Sequence, residues 1–480
     1  MENMKINHRK IFGADAAEYE DEEKLSSYFV IQNEFERFTD SDEKFLIVKA
    51  KKGMGKSSLL RHTSIEIKKK ENTDIVIEIK GNELLGLIET KSLDNNQLEN
   101  LWKKNICNRI CIEIGKNIGF AATDTSINFV ESAELEGFKE KNIISILAKN
   151  VIRIFKIQNG TEKISDTEIR EDLKSPHQQL IRYQESKDSN VWLIVDDIDA
   201  KFQDDENNRI VVSSFFSAAC AIAHSVYGLK IRSSVRSDVW TSLRNIEDQD
   251  KLRDFIVDIH QNDAISEEII FNKISAYLKK TTGIDAHYKY PRDKINVISK
   301  VFENPMNWNK GSANALIVLK VLAGGRPRWM GQLCKEAGKK AGGNKITLQD
   351  FISAMPNFGR DKISDIEKEH KHQFDQINSL INSFRAGSKD YTRHKLIQRI
   401  ENFYTTKNKS KISKINGAPF KASEQLAKFL FEVEFFVAFA NNDYINFEQS
   451  PDLFDSPESL SNTIKWTINS SYRNYLNINQ

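Results

Sequence analysis

Residues 44–60 read KFLIVKAKKGMGKSSLL: an apolar run, a glycine-punctuated turn, and Gly55-Lys56-Ser57 opening a segment of helical character. This order constrains the chain to a strand–loop–helix unit of a parallel sheet, since the apolar run suits a strand buried on both faces and the glycines suit a tight turn. Freed by Gly53 and Gly55, the loop N–H groups can point inward and make an anion cradle at the positive end of the next helix. Gly53, Met54, Gly55, Lys56, Ser57 and Ser58 are therefore read as a phosphate-binding set, with Lys56 reaching the β- and γ-phosphates and Ser57 placed to hold Mg²⁺. Ala50 departs from the full pattern, which has glycine at that entry position. Taken alone, the loop also fits a lysine-rich surface turn.

A second segment decides between these. Residues 190–199, NVWLIVDDID, form a continuous apolar run ending in adjacent carboxylates, the pattern of a buried parallel strand. Ligands of a doubly wound sheet sit at the carboxyl ends of its strands, so Asp196 is expected beside the phosphates, holding the Mg²⁺ of Ser57 through water. Asp197 is then placed to orient or deprotonate an attacking water. Asp199 is open between a catalytic acid, a helix cap and a solvated loop residue.

The 480 residues suffice for two or three domains, and 39% hydrophobic with 29% charged residues fits a globular protein. The net charge of +2 points to no particular partner. MENMKINHRK lacks the apolar core of a signal peptide and no long apolar window follows, so the expected setting is cytoplasmic, without a membrane span. Cys107, Cys111, Cys220 and Cys334 form no CxxC pair and read as small buried hydrophobes.

Along the chain, a charged lead-in (1–43) precedes an expected nucleotide core (44–290) carrying a long insertion at about 119–190, then a helical lid (291–365) and a C-terminal region (371–480). DIVIEIK at 74–80 alternates as a strand. Its Asp74, Glu78 and Lys80 echo the acids and lysine of a metal-dependent nuclease, but a strand is already required there by the sheet. LKIRSSVR at 229–236 delivers Arg236 to a strand end, where it would sense a γ-phosphate or instead pair with Asp238. A further strand is expected within 255–260 and a helical stretch over 293–322. Gly324-Gly325 then breaks the chain, and Pro327 suits the first turn of a helix that carries Arg328 at its start.

AKKGMGKSS, LIVDDID, SSVRSDVW and GGRPRWMGQLCKEAG, in this order, resemble the AAA+-related STAND and origin-recognition-type P-loop ATPases; the likeness spans about residues 10–355. A group of bacterial stand-alone P-loop ATPases is more similar still. The resemblance implies ATP and Mg²⁺ as cofactors, a lid whose arginine reports the nucleotide state (Arg328, with Arg326 as fallback), and a regulatory or defence role.

The C-terminal region reads as helices at 373–384, 392–403 and 424–440, a strand at 444–447 and a returning strand at 464–468, the order of a winged helix. Arg393, Lys395, Arg399, Lys407, Lys409, Lys411 and Lys414 would then meet double-stranded DNA across 393–421, unless the module packs on protein and the lysines form a solvated loop. The expected whole is an α/β P-loop sheet with a helical lid and a winged-helix-like domain, hydrolysing ATP as a switch coupled to an effector protein or a homo-oligomer. The alternative is a DNA-binding ATPase of the origin-recognition or transposition-regulator kind.

Overall fold

The structure is a computed structural model that describes residues 5–70, 73–85, 93–117, 175–185, 187–200, 202–203, 205–243, 249–260, 262–283, 291–308, 311–406, 414–415, 418–441, 443–461 and 463–478. Most of the expected insertion, with Lys407, Lys409 and Lys411, lies outside them. Two compact units emerge: Ile31–Lys51 with Lys56–Ile259, and Met1–Val30 with Lys52–Gly55 and His260–Gln480.

The first unit is built on five parallel strands, β1 (Phe45–Ala50), β2 (Ile75–Lys80), β3 (Val191–Asp196), β4 (Leu229–Arg236) and β5 (Ile256–Asp258), in the order β2-β3-β4-β1-β5. Runs such as FLIV and VWLIV form strands because both faces of an interior parallel strand are covered. Helices α1 (Lys56–Lys70), α2 (Asn95–Asn117) and α3 (Glu206–Ser225) supply the covering. Trp102 of α2 meets Phe215 of α3 edge-on at 5.2 Å and donates its indole N–H to Val211 O. Burying such rings contributes about 1.5–3 kcal/mol each.

β4 breaks the apolar rule: Arg232, Ser233 and Ser234 are buried within it. The Arg232 guanidinium stacks over Trp192 at 4.9 Å and donates to Phe38 O, Asp40 O and Glu43 O at 2.8–2.9 Å. A buried cation is held here by carbonyls that would otherwise be orphaned. It fastens the segment preceding β1 to the sheet.

The second unit has one continuous core that runs from Ile11 to Ile478. Its helices include α4 (Asp263–Thr282), α5 (Ala315–Ala323), α6 (Pro327–Ala341), α7 (Leu348–His370), α8 (Arg393–Thr406) and α9 (Ser423–Glu432). Asn314 caps α5 at one end and Gly324, left-handed at φ +71°, ends it at the other. Pro327 stands at the first position of α6. The lead-in packs Ile11 and Phe12 into this core. Lys273 donates to Phe12 O at 2.9 Å and lies 4.1 Å over the Tyr28 ring, while Lys335 donates to Gly13 O and pairs with Asp15.

Two expected helices are corrected. Within 293–322 lies a hairpin of β6 (Met306–Trp308) and β7 (Gly311–Ala313). β8 (Asp390–Tyr391) and the short pair β9 (Lys414–Ile415) and β10 (Ala418–Pro419) follow. The helix expected over 424–440 stops at Glu432, and FVAFA forms β11 (Phe436–Ala440). Glu434 turns the chain there with φ +59°, and the aromatic and β-branched run beyond it suits a sheet. β11 pairs with β12 (Asp443–Ile445) and β13 (Lys465–Ile468), giving an antiparallel order β12-β11-β13-β8.

Candidate functional site

In the sheet unit, β4 lies between the strand that feeds the glycine loop and the strand that ends in the acids. The register sets Ala50 against Arg236 on one side and Val195 against Ser233 on the other. Lys56, Ser57 and Ser58 form the first turn of α1, where backbone N–H groups have no partner inside the helix. Lys56 is buried, and its ammonium donates to Ala50 O at 2.9 Å and to Lys51 O at 3.5 Å, at the end of β1.

The carboxylates are sorted by their hydrogen bonds. Asp196 accepts from Ser234 Oγ at 2.5 Å and from the Asp197 N–H at 3.0 Å. Ser234 Oγ in turn accepts from that same N–H at 3.2 Å, so one serine fixes both acids. Asp197 takes a left-handed φ of +56°, a conformation that costs about 1–2 kcal/mol for a residue with a Cβ. Its carboxyl is pushed up to about 6 by burial, then by the charges of Asp196 and Asp199, with Lys56 and Lys80 pulling the other way.

Asp199 is 1% exposed and so is no solvated loop acid. It accepts the Arg236 N–H at 2.7 Å, and its carboxyl is raised by burial against the pull of Arg236. The Arg236 guanidinium meets Asp238 at 2.8 Å and Asp199 at 3.7 Å, so the alternative pairing with Asp238 is present. Behind the acids, Gly81 lets the β2 end pass so close that a Cβ there would lie 2.3 Å from Ile198 Cα.

The nuclease-like acids are engaged elsewhere. Asp74 accepts from Asn190 N at 2.8 Å and Trp192 Nε1 at 2.7 Å, stitching β2 to β3. Glu78 accepts from Ser64, Lys68 and Arg61. No cluster of metal-ligating side chains occurs among the described residues, and Cys107, Cys111 and Cys334 are buried.

In the second unit, the loop tip meets the start of α6. Gly53 and Gly55 are left-handed at φ +83° and +109°, and Met54 between them is buried. The Arg328 N–H donates to Gly53 O at 3.4 Å, and the Arg326 guanidinium to Lys52 O at 3.4 Å. These residues line a cavity of about 210 Å³ with Asp15, Trp329, Gln332 and Asp365. Arg328 is half-buried there, whereas Arg326 is 2% exposed.

The basic C-terminal residues divide. Arg393 donates to Phe454 O and stacks on the Phe454 ring at 4.4 Å, and Arg399 donates to Ser383 O. Lys395, Lys414 and Lys421 are exposed.

Sequence reasoning missed Ser234 and Gly81. Ser234 sits in a strand whose polar residues look amphipathic, and a Ser-Ser pair two residues short of a strand end is the available signal. Gly81 directly follows β2, where a glycine marks close approach of another backbone.

The fold is an α/β P-loop fold with a parallel sheet. No family model matches this chain, and no curated protein matches it. Among solved structures it is similar to a Walker-type ATPase of Pyrococcus abyssi, with 14% identity over 89% of this chain and 95% of that one and a TM-score of 0.42. It is similar also to the ORC2 protein of Aeropyrum pernix in its ADPNP–ADP complexes, with 11% identity, 97% and 95% coverage and a TM-score of 0.40. Cdc6p of Pyrobaculum aerophilum overlays with 11% identity, 94% of each chain and a TM-score of 0.32. These overlays are loose, and what the site can do is decided by its own residues.

Proposed function

We propose that this chain binds ATP with Mg²⁺ through the loop at 50–57 and hydrolyses it slowly, as a switch. The observation that carries the reading is the Asp196–Asp197 pair at the end of β3, locked by Ser234 and sharing its field with Lys56. A structural pair would gain nothing from this: two adjacent carboxylates and a strained backbone are costly unless a cation and a reacting water use them.

The residues fit the group. Ser57, at the first turn of α1, and Asp196, aligned by Ser234, would hold Mg²⁺, which would neutralise charge on the β- and γ-phosphate oxygens. Gly53, Met54, Gly55, Lys56, Ser57 and Ser58 supply loop and helix N–H groups to the phosphates, and Lys56 adds its ammonium. Asp197 orients the attacking water and takes its proton as the water oxygen bonds to the γ-phosphorus and the bridging oxygen leaves with ADP. Arg328 senses the nucleotide from the start of α6, and Arg236 is released from Asp238 to the γ-phosphate or to a neighbouring subunit. The C-terminal region, read as winged-helix-like, passes the state to an effector protein or a second copy. A bacterial signalling or defence setting is implied by the sequence resemblance only. Coupling to DNA is the second reading, and with Arg393 and Arg399 held internally it rests on fewer residues.

Thermal unfolding with Mg·ATP tests binding. At 100 times Kd the wild type is expected to gain about 2.7 kcal/mol, and Lys56→Ala little or nothing. Equal gains in both would remove Lys56 from the phosphate site.

A further inference from the structure

Arg326 occupies an unusual position within the second unit. Its side chain is 3% exposed, and it bridges three segments distant in sequence. One guanidinium nitrogen donates to Lys52 O at 3.4 Å and lies 3.8 Å from Glu369 at the end of α7. The other meets Glu434 at 3.1 Å, and the plane stacks on Trp329 at 4.6 Å. Two buried carboxylates thus converge on one cation.

The geometry at both ends gives this bridge a direction. A peptide in a phosphate loop can turn its N–H inward only by turning its carbonyl outward. The two outward carbonyls at the tip, Lys52 O and Gly53 O, are the ones received by the Arg326 guanidinium and the Arg328 N–H. That N–H is one of the helix-start donors with no partner inside α6, and Pro327 beside it has none to give. At the far end, Glu434 holds a left-handed backbone of φ +59° at the corner between α9 and β11. Such a conformation persists when its surroundings over-determine it.

Resting on the reading of residues 50–57 as the phosphate loop, we propose that Arg326 is a positioning residue that holds the Lys52 carbonyl outward, and that Glu434 sets it. The state of the corner before β11 thereby tunes the loop's readiness for phosphate. Because coupling free energy is reciprocal, filling the loop tightens the Arg326–Glu434 contact in turn. Arg328 faces the cavity as the sensor; Arg326 acts behind it, on the loop itself. A guanidinium suits the task, since its rigid planar fork holds a carbonyl and a carboxylate at fixed angles, which an ammonium on a flexible stem does not.

The test is amide hydrogen exchange on the full chain, with Mg·ATP affinity measured beside it, for wild type, Glu434→Gln and Arg326→Lys. Glu434→Gln keeps shape and an acceptor, so the fold is retained, and unchanged exchange in β3 checks this. Without nucleotide, exchange at residues 53–56 is expected to rise at least threefold in Glu434→Gln and about tenfold in Arg326→Lys. Mg·ATP affinity is expected to fall by similar factors, and added nucleotide to slow exchange at 434–438 in the wild type only. Loop exchange unchanged in Glu434→Gln overturns the proposal, whatever the nucleotide does; if Arg326→Lys unfolds, Glu434→Gln decides alone. Absence of Mg·ATP binding by the wild type, with loop exchange altered as expected, removes the ATPase reading and leaves the Arg326 relay standing.

Discussion

Asp197 is held where a carboxylate is least comfortable, beside Asp196, partly buried and on a left-handed backbone. Its carboxyl titrates at about 6 in the native state against an ordinary 3.8, chiefly through burial. Between those values the native protein keeps a proton that the unfolded chain has released, so stability falls as pH rises through the window and the deficit persists above it. Asp197→Asn removes the deficit. The variant is expected to be more stable than wild type by about 1–2 kcal/mol at pH 7.5, after allowance for solvent screening, and equal to it near pH 4. Urea unfolding at the two pH values measures this; a variant no more stable at pH 7.5 would mean that Asp197 is not strained by its charge. The acid pair itself was legible because it ends an apolar run. Its lock was not, since Ser234 is 38 residues from Asp196 and only the sheet order brings them together.

At the scale of elements, strands covered on both faces announce themselves as unbroken apolar runs, which is why β1 and β3 could be read directly. β4 could not be read as buried, because Arg232 is satisfied by carbonyls of a segment about 190 residues earlier. The β11 run reads as helix in the sequence because its aromatics also suit a helical stripe; the turn at Glu434 and pairing with β13 decide otherwise. The approach of the β2 end to Ile198 gives a test of how precisely elements place the acids. A Cβ at residue 81 would lie 2.3 Å from Ile198 Cα, so backbone must shift. Gly81→Ala is expected to cost about 2–3 kcal/mol and to lower kcat at least tenfold, by moving Asp196 and Asp197. Urea unfolding and steady-state kinetics check both; a destabilised variant with unchanged kcat would show that the acids tolerate displacement.

For the molecule as a whole, Ile11 and Phe12 near the start of the chain, helices α4 to α7 and the C-terminal elements share one core, a long-range relation that no local pattern carries. The partner question turns on charge: with Arg393 and Arg399 held by Phe454 O and Ser383 O, Lys395, Lys414 and Lys421 are the expected phosphate contacts among the described residues of that region. With Lys407, Lys409 and Lys411 counted as well, six contacts predict a salt dependence of duplex DNA affinity no steeper than a slope of about −5 in log K against log salt. A slope near −7 would require the two arginines to leave their carbonyls too. The most direct test of the central claim is ATP turnover by the purified protein, wild type beside Lys56→Ala and Asp197→Ala. Slow turnover by the wild type that falls at least a hundredfold in both variants, with Asp197→Ala still binding Mg·ATP, is the predicted result. Turnover that survives in Asp197→Ala, or a wild type that binds Mg·ATP without hydrolysing it, would contradict the assignment of Asp197 as the residue that activates water.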